Sequence, residues 1–205
     1  MTLAQLLAYE KEQLPEIARE LTAEDIGTLV EWLGEKDDAI RDPSFLLLAN
    51  RSENHPDVYP YWDVFAEKLK SPNAYQRSIG LKLMAENARW DTAGRMDAVI
   101  DEYLAFCDDP KPVVVRLCIQ SLARLVPHKR NLWPKIITKL ISIDIAKRKE
   151  SQRKLVLTDI LSVLAAMRKI EHRQEIDDYL FGAMGSGFLD KKAQKEIDAL
   201  LNRDA

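Results

Sequence analysis

Cysteine, glycine, histidine and long apolar runs are all scarce in this sequence, and each scarcity removes a class of protein. Cys107 and Cys118 are the only cysteines, too few for a disulfide framework and not spaced as CxxC; in a reducing compartment they read as two buried thiols. No apolar run approaches the ~18 residues of a membrane span. The opening Met1-Thr2-Leu3-Ala4-Gln5 has no basic region leading into an apolar stretch, so a cytoplasmic location is expected. His55, His128 and His172 are far apart with no HExxH spacing, which reads as surface histidines and no metal site. Gly182, Gly185 and Gly187 lack the Lys-Ser/Thr of a phosphate loop and read as a turn. With no GxSxG and no Ser, His, Asp set, neither an enzyme nor a cofactor is expected.

What remains is apolar and charged in helical proportion. Hydrophobic residues make up 46% and charged residues 31% of 205 residues, which excludes a disordered chain and fits one domain with a substantial core. Apolar residues recur at three- and four-residue spacing, and period-two alternation of β-branched residues is absent, so helices are expected throughout and no sheet. Thr22 and Asp25 resemble a capping box opening a helix with Ile26, Leu29, Val30 and Leu33 on one face and Gly34 at its end. Asp42-Pro43 and Ser71-Pro72 each set a capping side chain before a proline, as at a helix start. Asp109-Pro110, Pro127 and Pro134 mark further boundaries. The helices are therefore short and closely connected.

A frame repeats along the chain. Arg77 is followed by Gly80, Leu83 and Met84 at +3, +6 and +7, Arg116 by Ile119, Leu122 and Ala123, and Lys154 by Leu157, Ile160 and Leu161, with a degraded copy at Arg41. The steps are 36, 39 and 38 residues. Before each frame lies another apolar stripe: Ile26 to Leu33, Tyr61 to Leu69, Val99 to Phe106 and Ile136 to Ile143. Each unit is helix, turn, helix, and such a pair must stack on its neighbours to bury its apolar face. The expected architecture is all-α, an α-α superhelix of about four helical pairs in one domain, with repeats over 22–168, an N-terminal cap over 1–21 and a C-terminal cap over 169–205. Pro15 is expected to interrupt the first cap, and Trp32 and Trp62 to lie in packing.

The turn Asp109-Pro110-Lys111-Pro112-Val113-Val114-Val115-Arg116 resembles the signature of HEAT repeats. The stretch from Arg77 through Glu86-Asn87-Ala88-Arg89-Trp90-Asp91 to Tyr103-Leu104 is similar to a group of small uncharacterised bacterial HEAT-like proteins. Some of that group carry labels from iron–sulfur assembly, for which this chain has no cysteine cluster. The resemblance implies a right-handed armadillo-like solenoid and no particular activity.

Charge is divided unevenly. Residues 1–110 carry 11 Lys+Arg against 22 Asp+Glu, whereas residues 111–173 carry 15 against 4. Such a split can mark an acidic partner, a nucleic acid, or self-association of the basic and acidic regions in trans; it can also be a solvated patch.

Three sets of residues are candidates for function. The first is the inner surface of the second helices, where Gln76, Lys82, Glu86, Arg116, Gln120, Arg124, Lys154 and Thr158 would meet a protein or peptide. On the structural alternative, which the HEAT resemblance implies, the cations at Arg77, Arg116 and Lys154 bond to aspartates or helix-end carbonyls and hold the stack together. The second is Trp90 and Asp91, because HEAT-like alkylpurine DNA glycosylases use aromatic side chains and an aspartate; against this, Asp91 can simply cap a following helix. The third is the basic run Lys147, Arg148 and Lys149, which could neutralise phosphates.

Overall fold

A computed structural model of the protein describes residues 1–201, with the side chains of 197, 200 and 201 excepted. The last part of the expected C-terminal cap, 202–205, lies outside the described residues. Among these residues every regular element is a helix and there is no strand, and no helix is long and apolar enough to cross a membrane. The chain divides into two compact units, Met1–Met96 and the residues from Asp97 onward.

The first unit opens with α1 (Leu3–Ala8) and α2 (Leu14–Arg19). Pro15 stands at the start of α2, where its missing N–H has no intrahelical partner to lose, so it opens a helix and does not interrupt one. Two pairs follow: α3 (Ala23–Trp32) with α4 (Asp38–Ser52), and α5 (Trp62–Leu69) with α6 (Ala74–Asn87). The Thr22 and Asp25 box is formed, with Asp25 N donating to Thr22 Oγ1 at 3.2 Å and Thr22 N to Asp25 Oδ2 at 2.9 Å. The Asp42-Pro43 boundary is not where a helix begins. Asp37 caps α4 through Ala39 N at 2.9 Å, and Pro43 lies inside the helix, still within its early turns. Likewise Asn73 caps α6, through Tyr75 N at 2.9 Å, two residues beyond Ser71.

The core of this unit is laid down by both helices of each pair. Leu29, Leu33, Leu47, Leu48, Trp62, Phe65, Leu81 and Leu83 are buried, and α4 packs against both α3 and α6. Polar side chains of one pair close the open ends of the pair before it. The Leu33 carbonyl, at the end of α3, accepts from Gln76 Nε2 at 2.9 Å and Lys68 Nζ at 3.5 Å. The Ser52 carbonyl, at the end of α4, accepts from Trp90 Nε1 at 2.8 Å. Helix-end carbonyls have no partner within their own helix, so these bonds satisfy them and fix the stacking together.

In the second unit α7 (Arg95–Ala105) leads through a short 3-10 turn (Phe106–Asp108) into α8 (Pro112–Leu125), then α9 (Trp133–Ile141), α10 (Glu150–Arg168), α11 (Gln174–Met184) and α12 (Lys191–Leu201). Helix α10 packs against α8, α11 and α12. Ionic bonds cross one helical pair at a time. Lys129 meets Asp97 at 3.3 Å, Lys135 meets Asp101 at 2.7 Å, and Arg148 meets Asp108 at 2.8 Å, while Lys139 also pairs with Asp108. Four cations of the basic stretch 111–173 thus face aspartates of the acidic stretch immediately before it.

Geometry also adjusts the repeat frame. The fourth residue of α4, α6 and α10 is an arginine that reaches back to carbonyls of the turn before its own helix. Arg41 meets Glu35 O at 3.5 Å, Arg77 meets Ser71 O at 2.9 Å and Pro72 O at 3.0 Å, and Arg153 meets Ala146 O at 2.9 Å and Arg148 O at 3.0 Å. The fourth residue of α8 is Val115, so the equivalent positions are 41, 77, 115 and 153, with steps of 36, 38 and 38. Arg116 and Lys154 sit one residue further on and point elsewhere.

Candidate functional site

Helices α8 and α10 lie side by side and leave a groove of about 280 Å³ lined by Pro112, Val113, Arg116, Leu117 and Gln120 from α8 and by Gln152 and Leu155 from α10. The helical repeat explains why apolar side chains are left here. Val114, Val115, Cys118, Ile119 and Leu122 take the buried face of α8, so Val113 falls outside it and is 59% exposed. On α10, Val156, Leu157, Ile160 and Leu161 are buried, and Leu155 is left 39% exposed. Contacting side chains recur at three and four residues, so a third consecutive apolar residue has nowhere inside to go.

Beneath this groove lies a buried carboxylate. Asp159 on α10 accepts from Arg116 Nε at 2.7 Å and Nη2 at 3.2 Å, and from Gln120 Nε2 at 2.8 Å. The Asp159 bond raises the Arg116 guanidinium above its ordinary value, against the opposing effect of burial. A forked charge-assisted contact of this kind fixes the orientation of both side chains. Arg116 and Gln120 therefore form a rigid polar rim beside an apolar floor.

The other expected inner-surface residues are placed variously. Lys154 pairs with Asp190, and Thr158 Oγ1 donates to the Lys154 carbonyl at 2.8 Å, bonding within α10. Arg124 is exposed. In the first unit Gln76 is committed to Leu33 and Lys68, with Lys68 Nζ donating to its Oε1 at 2.6 Å. Lys82 lies 5.2 Å from the centroid of the Phe45 ring, and Glu86 is buried. Sequence spacing alone did not single out Val113, Leu117, Gln152, Leu155 or Asp159. The runs Val113-Val114-Val115 and Leu155-Val156-Leu157 carried the signal, since three adjacent apolar residues cannot all face one core.

Trp90 and Asp91 are engaged elsewhere. The Trp90 indole N–H is bonded to Ser52 O. Asp91 is buried; Oδ1 accepts from Arg95 N at 2.9 Å and Tyr59 Oη at 2.7 Å, and Oδ2 accepts from Met96 N at 2.9 Å. It caps α7 with both oxygens. Burial first, then the hydrogen bond to Asp91, push the Tyr59 hydroxyl up to about 12. In the basic run, Lys147 pairs with Asp144 at 3.3 Å, Arg148 bonds to Cys107 O at 3.0 Å and to Asp108, and Lys149 is exposed at the start of α10.

Two further depressions exist in this unit. One of about 560 Å³ runs between α7 and α9, bordered by Asp101, Leu104, Pro134, Lys135 and Thr138. The other, of about 300 Å³, is walled by Asp108, Lys139, Asp144, Lys147 and Arg148, whose charges already pair with one another. Among the described residues no group of three or more His, Cys, Asp or Glu side chains converges on a point where a metal ion could bind.

Comparison with known proteins bears on fold alone. The chain is similar to the crystal structure of an engineered protein from the Northeast Structural Genomics Consortium, with 16% identity and a TM-score of 0.51 over 96% of this chain and 94% of that one. No protein-family model matches the sequence, and no curated protein matches it.

Proposed function

We propose that the protein is a non-enzymatic interaction scaffold, a HEAT-like solenoid of about four helical pairs whose repeat frame over 22–168 runs through both units, and that it holds a partner protein along the inner face of its second helices. The observation that carries this reading is the α8–α10 groove. Two apolar side chains are left exposed there beside Arg116 and Gln120, which Asp159 holds in place. Burying apolar area supplies affinity, and pre-oriented polar groups supply register without an ordering cost on binding. Bonds between one helical pair and the pair before it, at Leu33 and Ser52, support a stacked repeat.

The nucleic-acid reading draws less support from the geometry. Arg148 and Lys147 have carboxylate partners within the chain, and both oxygens of Asp91 serve as a helix cap. Self-assembly through opposite charges is likewise disfavoured where Lys129, Lys135 and Lys139 meet aspartates of their own unit.

The test is photocrosslinking from inside cells, with the reactive group at 113 or 155 and a control at Val64, which is exposed on α5. A discrete adduct from 113 and 155, absent from 64 and lost when Leu117→Asp is added, is expected. Equal labelling from all three positions, or none from 113 and 155, would sink the groove as the contact surface.

A further inference from the structure

Cys107 and Cys118 are the only two cysteines of the chain, and the fold brings them together. Both are fully buried, with their sulfurs 3.7 Å apart. Cys107 lies in the 3-10 turn Phe106–Asp108 that joins α7 to α8, and Cys118 lies on the buried face of α8, where its thiol donates to the Tyr103 carbonyl at 3.4 Å. That turn packs directly on α8. A disulfide needs its sulfurs about 2.05 Å apart. The remaining approach falls on a three-residue turn, an easier element to move than a helix.

We propose that Cys107 and Cys118 are a redox pair, which a peroxide converts into an intrachain disulfide fastening the α7–α8 turn to α8. The Cys107 thiolate attacks one peroxide oxygen; the O–O bond breaks, and the departing oxygen leaves as water after protonation. Cys107 then carries a sulfenic acid. The Cys118 sulfur displaces its hydroxyl, which leaves as a second water, and the S–S bond forms. Together the two thiols lose two protons and two electrons, and the peroxide takes them up.

The order of attack follows from position. Burial, and then the hydrogen bond with Cys107, push the Cys118 thiol well above its ordinary range. Cys107 rides on a turn whose next residue, Asp108, is already at the surface. Access to it requires the turn to lift, and the turn is held down by Lys139 and Arg148 on Asp108 and by Arg148 on the Cys107 carbonyl. Those bonds gate the reaction: local opening sets the rate at which a buried group meets solvent. The proposal does not depend on the groove having a partner, because its readout is chemical.

The full chain, folded and reduced, is exposed to hydrogen peroxide and followed by intact mass and peptide mapping. The expected product is a monomer lighter by two hydrogens, with the Cys107 and Cys118 peptides joined and separable by dithiothreitol. Arg148→Ala is expected to form it several-fold faster. Cys118→Ser and Cys107→Ser, each checked for helical circular dichroism, are expected to lose no hydrogens, the first gaining oxygen at Cys107 and the second keeping Cys118 a free thiol. Two free thiols in the folded protein, after a time in which the urea-unfolded chain is fully oxidised, would overturn the proposal. So would oxygen added to each cysteine separately, or a bond between two chains.

Discussion

Gly80 and Gly182 both sit inside helices, α6 and α11, and alanine at the two positions is expected to act with opposite sign. The intrinsic gain from glycine to alanine in a helix interior is about 1 kcal/mol in both cases. At Gly80 a β-carbon would stand 2.6 Å from the Phe65 carbonyl oxygen, 3.0 Å from Leu69 Cδ2 and 3.2 Å from Lys68 Cβ. The first of these is α5 backbone, which has no rotamer to turn away. Restoring an ordinary contact of 3.4 Å asks α5 to retreat by roughly 0.8 Å at its closest approach to α6. Overpacking of this kind costs about 1–3 kcal/mol and more where backbone must move. The net effect of Gly80→Ala is therefore a loss of about 1–2 kcal/mol, against a gain of about 0.5–1 kcal/mol for Gly182→Ala. At Gly182 the new methyl meets nothing within 4 Å. Urea unfolding, with hydrogen exchange resolved by helix, reads both: α5 and α6 should open more readily in the first variant and α11 less readily in the second. Stability at or above wild type in Gly80→Ala would show that the α5–α6 contact is not set by the missing side chain.

Three other perturbations follow from single residues. Arg51 is buried, takes Asp57 through both Nε and Nη2, and bonds with Nη1 to the Ala18 and Arg19 carbonyls at the end of α2; Arg51→Ala should cost about 2–3 kcal/mol and expose 1–21 to limited proteolysis, whereas unchanged cleavage would show that α2 is held by its apolar face alone. Burial disfavours ionisation of Asp177, but the bonds from Arg168 and His172 outweigh it and hold the carboxyl below its ordinary value of 3.8. A lowered folded-state value means a contribution present above the unfolded-state value and lost as pH falls through the folded one. Asp177→Asn should weaken the folded protein at neutral pH and flatten its loss of stability below about pH 4; an acid limb identical to wild type would contradict this. Tyr59 has the reverse sign, its folded value raised to about 12, so its contribution is complete below about pH 10 and lost between there and 12. Ultraviolet titration of Asp91→Asn should show one tyrosine moving down; no movement would remove Asp91 from that bond.

How far the sequence could be read depended on whether a feature is local. The helices, the box at Thr22 and Asp25 and the turn at 185–187 follow from short-range spacing, and the structure has them. The start of α4 was misplaced because an Asp-Pro pair looks the same at a first turn and within the early turns, and only the Asp37 bond to Ala39 N separates them. The repeat frame slipped by one residue in the second unit for a related reason. Apolar periodicity fits Arg116 as well as Val115, since either choice keeps a buried residue at +3, Ile119 or Cys118, and Leu122 at +6 or +7, and it cannot report which side chain reaches back to its own turn. That slip bears on the α8–α10 groove. Arg153 holds on α10 the position that Arg41 and Arg77 hold, bonded to its own preceding turn, whereas on α8 that position is Val115 and Arg116, one residue on, meets Asp159 across the groove. The partner of Arg116 is 43 residues away, and Cys118 meets Cys107 through the path of a turn, so neither contact has a sequence signature. The groove arises where α8 and α10, the longer helices on either side of α9, lie together, and the thiol pair where the turn after α7 folds back onto α8.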